Sequence, residues 1–408
     1  MSLHFERRKP LAAASSVLAP ANLRRDAEPR FSEIEKLKYA MKLSEQEKSE
    51  DNVPLLRKVE KRINRKLAES EIRELFLAKG VEEHRITTNG MDIFYLEAGK
   101  KNDRTVLLVH GGGNSTAYEE WRYQMLELAE KYHVIAPDLP GYGHTKKPGK
   151  KGTLNFYVNE FMGNFAEALK IDKVSVVGCS MGGGIAIGYA LNNTAHVEKL
   201  ALINSFGIYG DAKLPIWVRS LTVFPRATKI GLNVLSRNEN VVKGVLNGIT
   251  GGKNIDEKDV HETSQFFSKD GVSLAFIEFL HEQLEASPRL LLSDLLKQEF
   301  GHKAILRGFY TVYTDRLTEL NKYGVEVLLM HGREDPLLPV SAAKQAAERL
   351  DKCRFVSFDC GHSPQTEKPE QLNDELLSFL EGSKNTDSNS HKHNAIIEGI
   401  KSVLRKAS

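Results

Sequence analysis

Cysteine is scarce in this chain. Among 408 residues there are three, Cys179, Cys353 and Cys360. The odd count, with no CxxC pair, excludes a closed disulfide framework and a zinc knuckle, so free thiols in a reducing, cytoplasmic setting are expected. Long apolar runs are absent as well: no stretch approaches the roughly eighteen residues of a membrane span. Nor is there an excess of one charge. The 57 Lys and Arg stand against 54 Asp and Glu, which gives no ground for a nucleic-acid partner. The segment LAAASSVLAP follows Arg7, Arg8 and Lys9, but its apolar block is weak for secretion. Glu6, Asp26 and Glu28 do not suit a transit peptide.

What is present divides the chain. Residues 1–30 carry Pro10, Pro20 and Pro29 and no periodicity, and read as a flexible segment. Residues 31–80 read as a helical extension, with Val59, Ile63, Leu67, Ile72, Leu75 and Phe76 at near-helical spacing. Docking on the main domain is the first expectation for these helices, and homo-oligomer formation through the terminal helices is the alternative. Residues 81–205 and 323–382 form the predicted core. It begins with a hairpin turning at Asn89-Gly90. Near-continuous apolar runs follow: TVLLVHGGG, HVIAPDLPG, VSVVGCSMG, LALINS, VEVLLMHG and RFVSFD. Such runs, separated by helical stretches, predict a mostly parallel, doubly wound α/β sheet covered on both faces.

Residues 206–322 lack a convincing strand and hold many aromatics, among them Trp217, Phe224, Phe276 and Phe279. They predict a helical cap over the edge where open α/β sheets bind ligands. Residues 383–408 read as a polar linker and an amphipathic helix, with Ile396, Ile397, Ile400, Val403 and Leu404 on one face. Docking on the body comes first for that helix. The pair His391 and His393 is too short a cluster to predict a metal.

Gly178-Cys179-Ser180-Met181-Gly182 fits G-x-S-x-G between a strand and a helix. A serine on so tight a turn has unfavourable backbone angles, and residues two before and two after it approach their neighbours too closely for side chains. The turn lifts the Ser180 hydroxyl and aims the Met181 N–H at a forming oxyanion. Gly112, within HGGGN, is the predicted second donor, with Gly111 and Gly113 adjacent. No Lys-Ser/Thr follows those glycines, and the elbow lacks G-x-G-x-x-G spacing, so phosphate-loop and dinucleotide readings fail.

A serine hydroxyl needs a base, and the base an orienting carboxylate. Of thirteen histidines, His362 follows the last predicted strand in a loop at the right edge. His110 and His331 are expected to hold loop geometry or sit against the sheet, and His144 to face solvent. Asp335, before Pro336, is the expected acid, with Glu334 as the alternative. Asp138 ends a strand but precedes the nucleophile, and is expected to shape its glycine-rich loop.

Together, VHGGGN, APDLPGYGHT, VVGCSMGGG, HGREDPLLP and CGHSPQTEKPEQL resemble, in order, the signatures of capped α/β-hydrolases, over residues 81–382. The resemblance implies the α/β-hydrolase fold and a serine hydrolase acting on a small-molecule acyl substrate without metal or cofactor. Its carbon–carbon bond hydrolases often carry tryptophan after the catalytic histidine, where this chain has Ser363. Carbon–carbon cleavage, acyl transfer and non-catalytic ligand binding are the alternatives.

Overall fold

Asn89 and Gly90 both adopt positive φ, 47° and 72°, as a two-residue hairpin turn matched to strand twist requires. Thr88 pairs with Met91 across them, joining β1 (Glu82–Thr88) to β2 (Met91–Ala98). Here and below the protein is a computed structural model, which describes residues 72–113, 115–146, 153–208, 225–250, 277, 279, 316–335, 338–382 and 397–402. The expectations for residues 1–71 and for the linker 383–396 lie outside the described residues.

Six further strands follow: β3 (Thr105–Val109), β4 (His133–Pro137), β5 (Val174–Cys179), β6 (Val197–Ile203), β7 (Glu326–Gly332) and β8 (Cys353–Phe358). They form one sheet in the order β1-β2-β4-β3-β5-β6-β7-β8. The β1–β2 and β2–β4 pairs are antiparallel, and every pair from β4 onward is parallel.

The apolar runs are continuous because the sheet has a core on each side. Leu107, Val109, Val176, Leu200, Leu202, Val327 and Leu329 join one cluster with the helix Met181–Asn192 and the segment Phe156–Ala168. Their neighbours Val106, Leu108, Val177, Ala201, Ile203, Leu328 and Met330 join the other, with Trp121, Leu126, Leu372 and Leu376. Side chains alternate along a strand, so two buried faces demand apolar residues at both parities. The edge strand β8 departs from this expectation: its first five residues are only half-buried, since an edge has neighbours on one side alone.

The described residues on either side of the core, 72–78 and 397–402, dock on the second layer. Residues 72–78 are helical, and Ile72 and Phe76 are buried there, Phe76 lying 5.5 Å from the Tyr118 ring. Ile397 and Ile400 are buried in the same layer, and Lys401 pairs with Glu370 at 2.5 Å. Within 206–322 the described elements are the helices Pro225–Leu235, Glu239–Thr250 and Glu319–Tyr323. Phe279 packs against Phe206 at 5.4 Å, inside the first layer. Of the aromatics named for the cap, Trp217, Phe224 and Phe276 lie outside the described residues.

Candidate active site

Ser180 stands between the end of β5 and the helix Met181–Asn192, with φ 50° and ψ −118°. A non-glycine residue held there is strained, and close packing maintains it. A side chain on Gly182 would fall on the carbonyl oxygens of Val109 and His110, and one on Gly178 on the backbone of Gly182 and Gly183. A Cβ on Gly183 would strike Ser205, and one on Gly184 the Phe206 ring. Four glycines therefore let the turn and its helix press against β3 and the residues after β6. Met181 opens the helix, so its N–H belongs to the first turn, where amides lack an intrahelical acceptor.

The loop 111–113 crosses directly over this turn. A Cβ built on Gly111 would lie 3.4 Å from the Ser180 Cβ. Gly113 has φ 74°, open to glycine, and Gly112 lies between them. His110 anchors the loop from beneath. It is fully buried, its Nδ1 lies 2.8 Å from the Gly111 carbonyl, and its Nε2 accepts the Leu139 N–H at 2.9 Å. That pattern places the ring proton on Nδ1, and burial pushes the imidazole below its ordinary pKa.

Asp138, buried at the end of β4, accepts the Ala117 N–H and the His144 N–H, each at 2.8 Å. It ties down the loop around Gly143, whose φ of 47° and contact with that carboxylate leave no room for a Cβ. The hydrogen bond that His144 Nδ1 donates to the Asp138 carboxylate raises the pKa of His144, against burial.

His362 and Asp335 approach from the β7–β8 side. His362 Nε2 lies 3.1 Å from Ser180 Oγ, and its Nδ1 lies 2.8 Å from Asp335 Oδ2. A carboxylate can only accept, so the proton between them belongs to Nδ1 and Nε2 is free to accept from the serine hydroxyl. The Asp335 side chain is buried, while that of His362 is 24% exposed. The alternative acid, Glu334, is exposed and donates its N–H to the Cys360 carbonyl. Ser180, Asp335 and His362 are thus brought together, with Met181 next to the serine in sequence and Gly111, the neighbour of Gly112, close to it.

Four supporting residues, Asn204, Leu338, Glu367 and Glu120, escaped the sequence reading. Asn204, just past β6 with φ 39°, donates its amide to Asp335 Oδ2 and accepts the Gly332 N–H at 3.0 Å. The Leu338 N–H donates to Asp335 Oδ1 at 3.0 Å, and the His331 ring reaches back to the Leu338 carbonyl at 2.9 Å. Burial holds the His331 pKa low. Glu367 accepts the N–H groups of Gly361 and Ser363, both at 2.9 Å, and so clamps the residues on either side of His362. The available signal for Asn204 was a polar residue ending an apolar strand at the same edge as Ser180. Glu120 lies beneath the site, accepting from Ser115 and Gln365. Burial, and then the nearby charge of Glu120, push the Cys179 thiol well above its usual pKa, which keeps this neighbour of the serine protonated.

A family model described as "alpha/beta hydrolase fold" matches residues 104–228. A 2-hydroxy-6-oxo-6-(2'-aminophenyl)hexa-2,4-dienoic acid hydrolase of Metapseudomonas resinovorans is 27% identical over 301 residues, covering 73% of this chain and 90% of that one. The monoacylglycerol lipase abhd6-B of Xenopus laevis is 24% identical over 315 residues, covering 73% and 82%. Among solved structures, a membrane phospholipase A described as a bacterial virulence factor superposes with a TM-score of 0.54 at 24% identity, covering 85% of this chain and 99% of that one.

Proposed function

Since the chain belongs to the α/β-hydrolase superfamily and is a hydrolase, we propose that it cleaves a small-molecule carboxylic ester, thioester or lactone through an acyl-enzyme on Ser180. The observation carrying this reading is the continuous chain from Ser180 Oγ to His362 Nε2 at 3.1 Å and from Nδ1 to Asp335 at 2.8 Å. As the Ser180 oxygen bonds to the substrate carbonyl carbon, its proton passes to His362 Nε2. Asp335 steadies the resulting imidazolium. The N–H groups of Met181 and Gly112 receive the oxyanion. The carbon–oxygen or carbon–sulfur bond to the leaving group then breaks, and that group takes the proton from His362. Water repeats the sequence on the acyl-enzyme, losing its proton to His362 and releasing the acid. The residues 206–322 would cover this edge as a cap and exclude solvent.

Carbon–carbon cleavage of a 2-hydroxy-6-oxo-dienoate is the second reading, favoured by the Metapseudomonas relative of that name. Ser363 stands where such enzymes often carry tryptophan, which puts the ester reading first. Both are tested by incubating the wild type and Ser180→Ala with short and long p-nitrophenyl esters, lactones and 2-hydroxy-6-oxo-dienoates. Serine-dependent release of p-nitrophenol is the expected result. Serine-dependent loss of the dienoate absorbance, with the esters and lactones untouched, selects the second reading. No turnover of any of these by the wild type overturns both.

A further inference from the structure

The antiparallel hairpin gathers donor atoms that lie far from Ser180. Glu82 and His84 are two apart on β1, so their side chains leave the same face. Glu97 is directly opposite Glu82 in the β1–β2 register and shares that face. The outcome is a tight triangle. His84 Nε2 lies 2.9 Å from Glu82 Oε2 and 3.0 Å from Glu97 Oε2. Adjacent ligands of a small divalent cation, bound at about 2.1 Å, stand roughly 3 Å apart.

Two neighbours hold this triangle in place. Glu97 is 6% exposed, and its second oxygen lies 2.7 Å from His133 Nε2 at the start of β4. The Tyr95 ring stacks on His84 at 5.3 Å between centroids. Outer contacts of this kind fix ligand orientation in metal sites. Access is open, since the side chains of Glu82 and His84 are 63% and 32% exposed. Lys100, 3.4 Å from Glu97 and 71% exposed, is free to swing aside.

We propose that Glu82, His84 and Glu97 form a surface site for a divalent first-row cation, zinc being the best match, with His133 orienting Glu97 and water completing the coordination. One imidazole nitrogen with two carboxylate oxygens is a donor set that zinc accepts. Glu97 pairs with Ile135, the middle residue of β4, and Tyr95, opposite His84, pairs with Pro137 at its end. Ser180 follows the end of β5, which β2, β4 and β3 separate from β1 in the sheet. The cation is therefore a brace, fastening the outermost strand to its neighbour, and takes no part in the chemistry at Ser180.

The test is calorimetric titration of the full-length, chelator-stripped protein with zinc chloride, paired with thermal melting. The expected result is one micromolar site and a melting temperature that rises with zinc. His84→Ala abolishes both effects, and His133→Ala weakens binding by about 10- to 100-fold. If His84→Ala lacks the wild-type circular dichroism spectrum, Glu82→Gln at an exposed position replaces it, with at least a tenfold loss expected. Absence of binding at millimolar zinc overturns the proposal. So does unchanged binding in the variant, which would place the cation elsewhere, as at His391 and His393.

Discussion

His362 Nε2 lies 3.1 Å from Ser180 Oγ, across 182 positions of sequence. Each is held by backbone geometry that its own side chain does not supply. Ser180 is pinned by the glycines around it, and His362 by the carboxylate of Glu367 and the fully buried carboxylate of Asp335.

The first prediction concerns the strain at Ser180. Ser180→Ala is expected to lose both ester hydrolysis and covalent labelling by a fluorophosphonate while keeping the wild-type circular dichroism spectrum. Ser180→Gly, equally inactive, is expected to be more stable than Ser180→Ala by about 1 kcal/mol, because φ 50° suits only glycine well. Urea denaturation of the two variants checks this. Equal midpoints would mean that the turn stores no strain.

Gly182 and Gly163 make a contrast within one fold. A Cβ at Gly182 has backbone carbonyls of β3 and His110 in its way, whereas one at Gly163 meets nothing within 4 Å. Gly182→Ala is expected to cost about 3 kcal/mol or more. Gly163→Ala, at the first residue of a helix, is expected to be neutral or to stabilise by up to about 1 kcal/mol. The measurement is the shift in denaturation midpoint for each.

Asn204 donates its side-chain amide to Asp335 Oδ2, and so acts on the site through that carboxylate. Asn204→Asp keeps an acceptor for the Gly332 N–H but sets a second carboxylate against Asp335, where the amide donated. The expected result is a fall in kcat of tenfold or more with KM within about twofold, since the loss is felt when the imidazolium forms. Steady-state kinetics on one p-nitrophenyl ester checks it. A change confined to KM would count against the assignment.

Stability is expected to fall between pH 7.5 and 5.5. Burial lowers the folded pKa of His110 and of His331 below the unfolded value of about 6.5. Below that value the unfolded chain binds protons that the folded chain refuses, so unfolding is favoured as pH drops, by at most about 1.4 kcal/mol per pH unit for each group. His144 runs the other way. Its raised pKa gives a contribution fully present below about 6.5 and lost as pH rises through the folded value. Its side chain is 56% exposed, so solvent screens that term. Denaturant midpoints across this range, with the ring proton resonances of His110 and His331 failing to titrate, are the check. A flat profile would contradict it.

The sequence by itself determined which residues could do chemistry and roughly where each would sit. G-x-S-x-G after an apolar run, an acid after β7 and a histidine after β8 are local signals: each depends on a strand ending and a turn beginning, and strand ends are written in apolar periodicity and glycine. The parallel sheet was legible for the same reason, through runs apolar at both parities. What the tertiary structure alone decided is what the loops meet. Asn204 and Glu367 carry no motif, and their partners lie on other segments of the same sheet edge or across a tight loop. Which of the expected acid Asp335 and its alternative Glu334 lies buried beside His362 is a matter of tertiary packing: the Asp335 side chain is buried there and Glu334 is exposed. The Glu82–His84–Glu97 triangle required the register of β1 on β2, because a slip of one residue would have sent its side chains to opposite faces.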